Sequence, residues 1–244
     1  MITDPQTKSI LSHLQFTVQP VHTLYMKEFW QHEHVFNINQ PRKPLLIHVV
    51  TYQRVQALTC LLNCLANQTE QNFDVCITHD DFHYGTLDMV QHWAQRNNIN
   101  TTLKFTSERM GMWGHPMRAQ VIKECAHDYI LLTNDDNYYV PVFTQIMMHD
   151  LISQDAHMVM CDMIHSHNNP GVTQQPPYNL FVTEPRCMHC DIGCFITKTT
   201  LVQQVGFDNC DISWADGLFM DKLMQLNSPP TKWVKVPQVL FVHN

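Results

Sequence analysis

Asp135 and Asp136 stand side by side at the end of the apolar run Tyr129-Ile130-Leu131-Leu132-Thr133-Asn134, with Asn137 beyond them and Pro141 closing the segment. Adjacent carboxylates repel each other unless a proton or a cation relieves them. Hard divalent cations such as Mg2+ or Mn2+ take oxygen ligands and commonly bridge to phosphate. A run of this length and character reads as a covered parallel strand, and open α/β sheets bind ligands just beyond the carboxyl ends of such strands. The pair therefore points to a metal-diphosphate site. Asn and Asp are also ordinary turn residues, so a solvated turn explains the same letters.

Other groups capable of chemistry fall at similar places. Val50-Thr51-Tyr52-Gln53-Arg54 follows a first apolar strand, His79-Asp80-Asp81 ends a second, and Trp214-Ala215-Asp216-Gly217 opens a late helix. Asp216 fits a general base and equally a helix cap. Cys187, His189, Cys190 and Cys194 form a dense cluster of thiols and imidazole, the ligand types of zinc. Their C-x-H-C-x3-C spacing is not one of the common zinc patterns. A strand through it would also send alternate side chains to opposite faces.

The elements that would carry these residues alternate. Strand Leu45 to Val50 leads to a helix over Val55 to Asn67 with Leu58, Leu61, Leu62 and Leu65 at helical spacing. Strand Phe73 to Thr78 leads to a helix from about Thr86 to Arg96. A strand near Thr102 to Phe105, a loop rich in Gly and Met, and a helix near Pro116 to Cys125 bring the chain to the strand ending at Asp135. Strands alternating with helices predict a mostly parallel sheet with right-handed crossovers. The second half is less regular. It holds a helix from about Val142 to Gln154, a strand from Met158 to Met163, a polar loop from His165 to Tyr178, a strand at Phe195 to Thr197 and a helix from Trp214 to about Leu226. Two terminal runs follow, Trp233 to Val236 and Val239 to Val242, ahead of His243. Residues 1 to about 42, with mixed helical patterning around Leu24, Phe29 and Trp30, read as an N-terminal extension. The domain would then span 43–244, divided into a nucleotide-binding half over 43–140 and an acceptor half over 141–244.

With 244 residues the chain suits one α/β domain. A net charge of -7 and the lack of a Lys/Arg run give no support for long nucleic acid as a partner. No apolar stretch approaches the roughly 20 residues of a membrane span, and the residues around Asp4, Gln6 and Lys8 lack a signal-peptide pattern, so a soluble, cytoplasmic protein is expected. Nine cysteines at irregular spacing fit reduced core thiols better than a disulfide framework.

Taken in order, Thr51-Tyr52-Gln53-Arg54, Asp80-Asp81, Thr133-Asn134-Asp135-Asp136-Asn137 with Pro141, and Trp214-Ala215-Asp216 resemble the family 2 glycosyltransferases of GT-A fold, in particular the bacterial spore-coat polysaccharide type. The resemblance covers about residues 44 to 227. It implies an α/β, Rossmann-like, mostly parallel central sheet flanked by helices. It also implies transfer of a sugar from a nucleotide-sugar donor, most simply UDP-linked, to a hydroxyl of a glycan, lipid-linked or other acceptor. Thr51 and Tyr52 would line the base pocket and Asp81 would accept a hydrogen bond from the base. Arg54, Arg118 and Asn134 would join the donor site. Asp135 would contact ribose or assist the metal, Asp136 would ligate Mn2+ or Mg2+, and His243 would complete that shell. Asp216 would be the base of an inverting displacement, with Asp191 the acceptor-site carboxylate. The chain departs from the pattern at Ala215-Asp216, where Glu-Asp is common, and at Asn134-Asp135-Asp136 in place of Asp-x-Asp. Two other readings stay open: a nucleotidyltransferase, although the loop Val50 to Arg54 has no glycine to wrap a triphosphate, and a zinc module on the cysteine cluster.

Overall fold

The computed structural model describes residues 29–37, 40–166, 178–207, 211–226 and 230–244. The strand β2 (Leu45–Thr51) forms the axis of the N-terminal half, and all seven of its residues are buried. It lies between β3 (Phe73–His79) and β5 (Tyr129–Asn134), parallel to both, with β4 (Thr101–Thr106) parallel beyond β3. Burial on both faces is what a run of Leu, Ile and Val without polar alternation requires. The helix α1 (Val55–Ala66) covers one face by burying Leu58, Leu61, Leu62 and Leu65. That stripe contributes about 1.5–3 kcal/mol per leucine in apolar area removed from water. Helices α2 (Tyr84–Asn97) and α3 (His115–Glu124) complete the crossovers. His48, wholly buried within β2, bonds Thr78 Oγ1 at 2.9 Å, and burial holds its pKa well below the usual imidazole value.

The C-terminal half is mixed. After the two-residue strand β6 (Tyr138–Tyr139) and helix α4 (Phe143–Ser153), β7 (Met158–His165) pairs antiparallel with β8 (Asn179–Phe181) and β9 (Phe195–Lys198). β9 is also antiparallel to β5, which joins the halves into one sheet of order β1 (Trp30–Phe36), β4, β3, β2, β5, β9, β7, β10 (Trp233–His243), β6. Helices α5 (Thr199–Val205) and α6 (Ala215–Met224) pack against one another on this side. No described helix is long and apolar enough to cross a membrane.

Two elements differ from the sequence-based expectation. The stretch around Trp30 is not helical: Trp30–Phe36 is strand β1, antiparallel to β4 at the sheet edge. Its polar run Gln31-His32-Glu33-His34 hid the strand, and Lys104 holds it there by pairing with Glu33 and Glu124 at 3.5 and 2.7 Å. Leu24 lies outside the described residues. The terminal runs form one strand, β10 (Trp233–His243), parallel to β7, with register shifts between Val236 and Phe241 absorbing the donor that Pro237 lacks. Most of the expected loop from His165 to Tyr178 lies outside the described residues.

Candidate active site

The carboxyl ends of β2, β3 and β5, the N-terminus of α6 and the end of β10 surround a cavity of about 620 Å3. Thr51, Tyr52, Arg54, Arg118, Asn134, Asp136, Asp191, Asp216 and His243 all line it, so most of the residues singled out in the sequence converge on one space.

Asp135 and Asp136 take opposite orientations, as adjacent residues leaving a strand do. Asp135 is fully buried, and Thr51 donates to its Oδ2 at 2.6 Å. Asp136 opens on the cavity. The Arg54 guanidinium lies between them, Nη2 at 2.5 Å from Asp135 and Nη1 at 2.5 Å from Asp136. Burial raises the Asp135 pKa to about 6, the Thr51 hydrogen bond and the Arg54 charge working against that rise.

Asp81 does not reach the cavity. Its backbone adopts φ 85° and its carboxylate accepts from the adjacent Phe82 N–H, which turns the side chain away. Asp80 is the residue on the cavity wall. Its N–H bonds the Thr51 carbonyl at 3.1 Å, continuing the strand pairing by one residue, and it is buried. Its oxygens accept the N–H groups of Met110 and Gly111 at 2.6 and 2.7 Å, clamping the next loop. The guanidinium of Arg109 from that loop covers the Tyr52 ring at 4.1 Å from its centroid.

That loop was not recognised in the sequence as part of a site. Gly111, Met112, Trp113 and Gly114 all have positive φ. For Met112 and Trp113 this costs on the order of 1–3 kcal/mol each and persists only where neighbours over-determine it. Gly114 cannot be replaced cheaply, since a Cβ there would meet Val50 Cγ1 at 2.2 Å. The buried Arg118 secures the far end: Nη1 donates to the Trp113 carbonyl at 2.8 Å, and Nη2 donates to Asn134 Oδ1. The available signal was the pair of glycines three residues apart in a chain with only 7.

Across the cavity, Asp191 caps the short turn Ile192–Cys194, accepting from Gly193 N–H at 2.7 Å. Gly193 is packed so closely that a Cβ would sit 2.8 Å from Phe241 and 2.9 Å from Tyr139, whose hydroxyl donates to the Gly193 carbonyl at 3.0 Å. His243 Nε2 lies 3.3 Å from the other Asp191 oxygen, and its ring stacks on His165 at 4.5 Å. The histidine expected on the metal therefore has Asp191 as its partner. Among the described residues no group of three or more His, Cys, Asp or Glu converges as a ready-made cation site. Asp216, in the first turn of α6, accepts from its neighbouring Gly217 N–H at 2.8 Å. Burial and then the Asp191 charge raise its pKa to about 6, against the pull of Arg118 and His243.

The cysteine cluster has a packing role. A Cβ on Gly217 would meet Cys187 Sγ at 2.6 Å, and Cys187 N–H donates to Asp221 at 2.8 Å, so this turn carries α6. Burial pushes the Cys190 and Cys194 thiols well above their usual range, and among the described residues Cys187, His189, Cys190 and Cys194 do not converge as a group of three or more ligands. The zinc reading is not supported.

Among solved structures, that of residues 1–349 of S. aureus TarS aligns with a TM-score of 0.64 at 21% identity, covering 82% of this chain and 60% of that one. The same protein in complex with UDP-GlcNAc gives a TM-score of 0.63 at 20% identity, over 81% of this chain and 57% of that one. The mannosyltransferase PcManGT from Pyrobaculum calidifontis, in complex with GDP-Man and Mn2+, gives 0.62 at 15% identity, over 85% and 61%. The chain thus spans roughly three-fifths of the length of these structures, and at such identities the likeness is one of fold. Among curated protein sequences none matches. The strand-end carboxylates, the mixed sheet and the cavity between its halves agree with a match over residues 46–207 to the model of glycosyl transferase family 2, and the chain belongs to that family.

Proposed function

We propose that this chain moves a sugar from a nucleotide-sugar donor to an acceptor hydroxyl, with inversion at the anomeric carbon. The observation that carries the reading is a single cavity with a cation-paired carboxylate group on one wall and an acid of raised pKa, Asp216, on the other. The donor would lie along the strand ends. Tyr52 and Asp80 would hold the base, with Asp80 taking the place expected of Asp81. Solved relatives of this fold hold UDP-GlcNAc and GDP-Man, so a uridine or guanosine diphosphate donor fits.

The residues present suit a divalent cation. The donor set is carboxylate oxygen, the preference of Mg2+ and Mn2+, and Asp135 and Asp136 already hold one cationic group between them, that of Arg54. Asp136, the member facing the cavity, would hold the metal, and Asp135 would steady the pair from behind. When bound, the metal would act as a Lewis acid on the diphosphate leaving group. Arg54, paired with Asp135 and Asp136, and Arg118, whose charge reaches all four aspartates, add fixed positive charge to the cavity. Asp216 takes the proton from the acceptor hydroxyl as it attacks. A carboxyl of pKa about 6 is ionised at neutral pH yet more basic than an ordinary aspartate, which suits that task.

The test is a thermal-shift panel of UDP, GDP and their sugar conjugates, with and without Mn2+. A ligand that binds only the folded chain raises its stability by RT ln(1 + [L]/Kd). Metal-dependent stabilisation by at least one nucleoside diphosphate is expected. Indifference to all of them would overturn the reading.

A further inference from the structure

Trp113 is 61% exposed although it lines the cavity. It is held there by its surroundings. Its backbone sits at φ 50° and ψ 20° within the four-residue stretch of positive φ, and the two ends of that stretch are tied to the buried Asp80 and Arg118. An indole free to relax would cover apolar surface; this one is left largely exposed at a cavity whose wall mixes apolar side chains with carboxylates and guanidinium groups. Strain of this kind, enforced by buried charges, marks positions used for binding. Its ring lies 6.1 Å from that of the buried His115, which in turn tilts onto Phe207 at 5.2 Å, so the indole has a firm base. Phe207, Ser213 and Asp216 line the same cavity, Arg118 links the Trp113 carbonyl to the Asp216 side by its charge, and the other aromatic, Tyr52, already has its face covered by Arg109.

We propose that Trp113 is the platform on which a sugar ring of a carbohydrate acceptor stacks beside Asp216. The inference rests on the glycosyltransferase reading and deepens it by naming the acceptor class. A pyranose has an apolar C–H face and a hydroxylated rim. The indole takes the face, while Asp191, Ser213 and Asp216 lie within the same cavity for the hydroxyls.

The experiment uses the full chain and its Trp113→Ala and Trp113→Phe variants, each checked for an unchanged melting temperature. Saturation-transfer NMR reads binding of methyl β-glycosides of glucose, galactose, mannose and N-acetylglucosamine, with and without Mg2+ and UDP or GDP, and calorimetry reads nucleotide affinity. At least one glycoside is expected to show contacts through its ring protons. Trp113→Ala should weaken that binding about tenfold, Trp113→Phe should retain most of it, and nucleotide affinity should be unchanged in both. The proposal is overturned if no glycoside binds the native chain, if Trp113→Ala leaves the signal intact, or if nucleotide affinity falls in step with it, which would place the indole on the donor. A native chain that binds neither nucleotide breaks the transfer reading instead, and the arm without nucleotide still decides the platform.

Discussion

Two pairs of carboxylates stand at the cavity, Asp136 with the buried Asp135 behind it and Asp191 with Asp216, and the protein treats them differently. Asp135 and Asp136 share a guanidinium at 2.5 Å on each side, whereas Asp191 and Asp216 feel the buried Arg118 charge without a direct ion pair to it among the described residues, and the His243 imidazole lies 3.3 Å from Asp191. Asp135 and Asp216 both have a pKa raised to about 6 by burial, but the next influence differs: for Asp135 it is a stabilising hydrogen bond from Thr51, for Asp216 the repulsion of Asp191. On the proposed reading the first pair holds positive charge and the second accepts a proton. Spacing alone does not separate these tasks, since all four residues are aspartates at the ends of elements.

The largest expected effect breaks the comparison at its second member. Asp216→Asn should slow sugar transfer by at least ~100-fold and up to ~10^4-fold while leaving donor binding intact. The same change should stabilise the fold. In the folded chain Asp216 keeps its proton up to about pH 6, against an ordinary value of 3.8. Between those values the folded state binds more protons than the unfolded state, so stability falls as pH rises through that window. At neutral pH the buried charge is a net cost, on the order of 1–2 kcal/mol after allowing for partial solvent access. Asp216→Asn should therefore raise the melting temperature at pH 7 and have little effect at pH 4. Near-native turnover would move the base to Asp191, and a lower melting temperature at pH 7 would show that the carboxylate is not under repulsion.

Removing the exposed member of the other pair should act on binding. Asp136→Ala is expected to weaken Mn2+-dependent binding of UDP or GDP by about 10- to 100-fold, with metal-free nucleotide binding and the melting temperature unchanged. Calorimetry with and without Mn2+ reads both quantities. If affinity with metal is unchanged, the pair serves only as the counter-charge of Arg54, and the cation-holding role fails.

How much of this site could be read from sequence depended on whether a residue's position follows from its own segment. Thr51, Asp135 and Asp136 could be placed because an apolar run without alternation fixes a strand, and the residues after it must emerge at the sheet's end. The choice between Asp80 and Asp81 could not be made, because it turns on one backbone dihedral, the φ of 85° at Asp81. The Gly111–Gly114 turn was hidden for a related reason: its conformation is imposed by Asp80, about thirty residues earlier, and by Arg118 on the next helix. Strand β1 lacks the alternation that would reveal it, being an edge strand with His32, Glu33 and His34 in a row. The Arg54 bridge spans 82 positions, and nothing local announces it.

His243 gives the smallest and most discriminating test, because it could belong to either pair. Resemblance to the family placed it on the metal with Asp136, while its Nε2 lies 3.3 Å from Asp191. The two roles differ in what they predict for His243→Ala. A metal ligand lost from a shell of oxygen donors should weaken Mn2+ binding by about an order of magnitude. A partner of Asp191 should leave Mn2+ affinity unchanged and act on proton transfer instead. His243 is one of the groups that draw the Asp216 pKa down, and Asp191 is the group that pushes it up after burial itself. Removing the imidazole should therefore move the acid limb of the pH–rate profile upward from about 6, whereas Asp191→Asn should move it down. Each shift should be less than about one pH unit, since exposed faces of the cavity screen these charges. Opposite displacements of that limb, with Mn2+ affinity held constant, would assign His243 to the proton-accepting wall. A tenfold loss of Mn2+ affinity would return it to the cation-holding one and leave Asp191 to set the basicity of Asp216 alone.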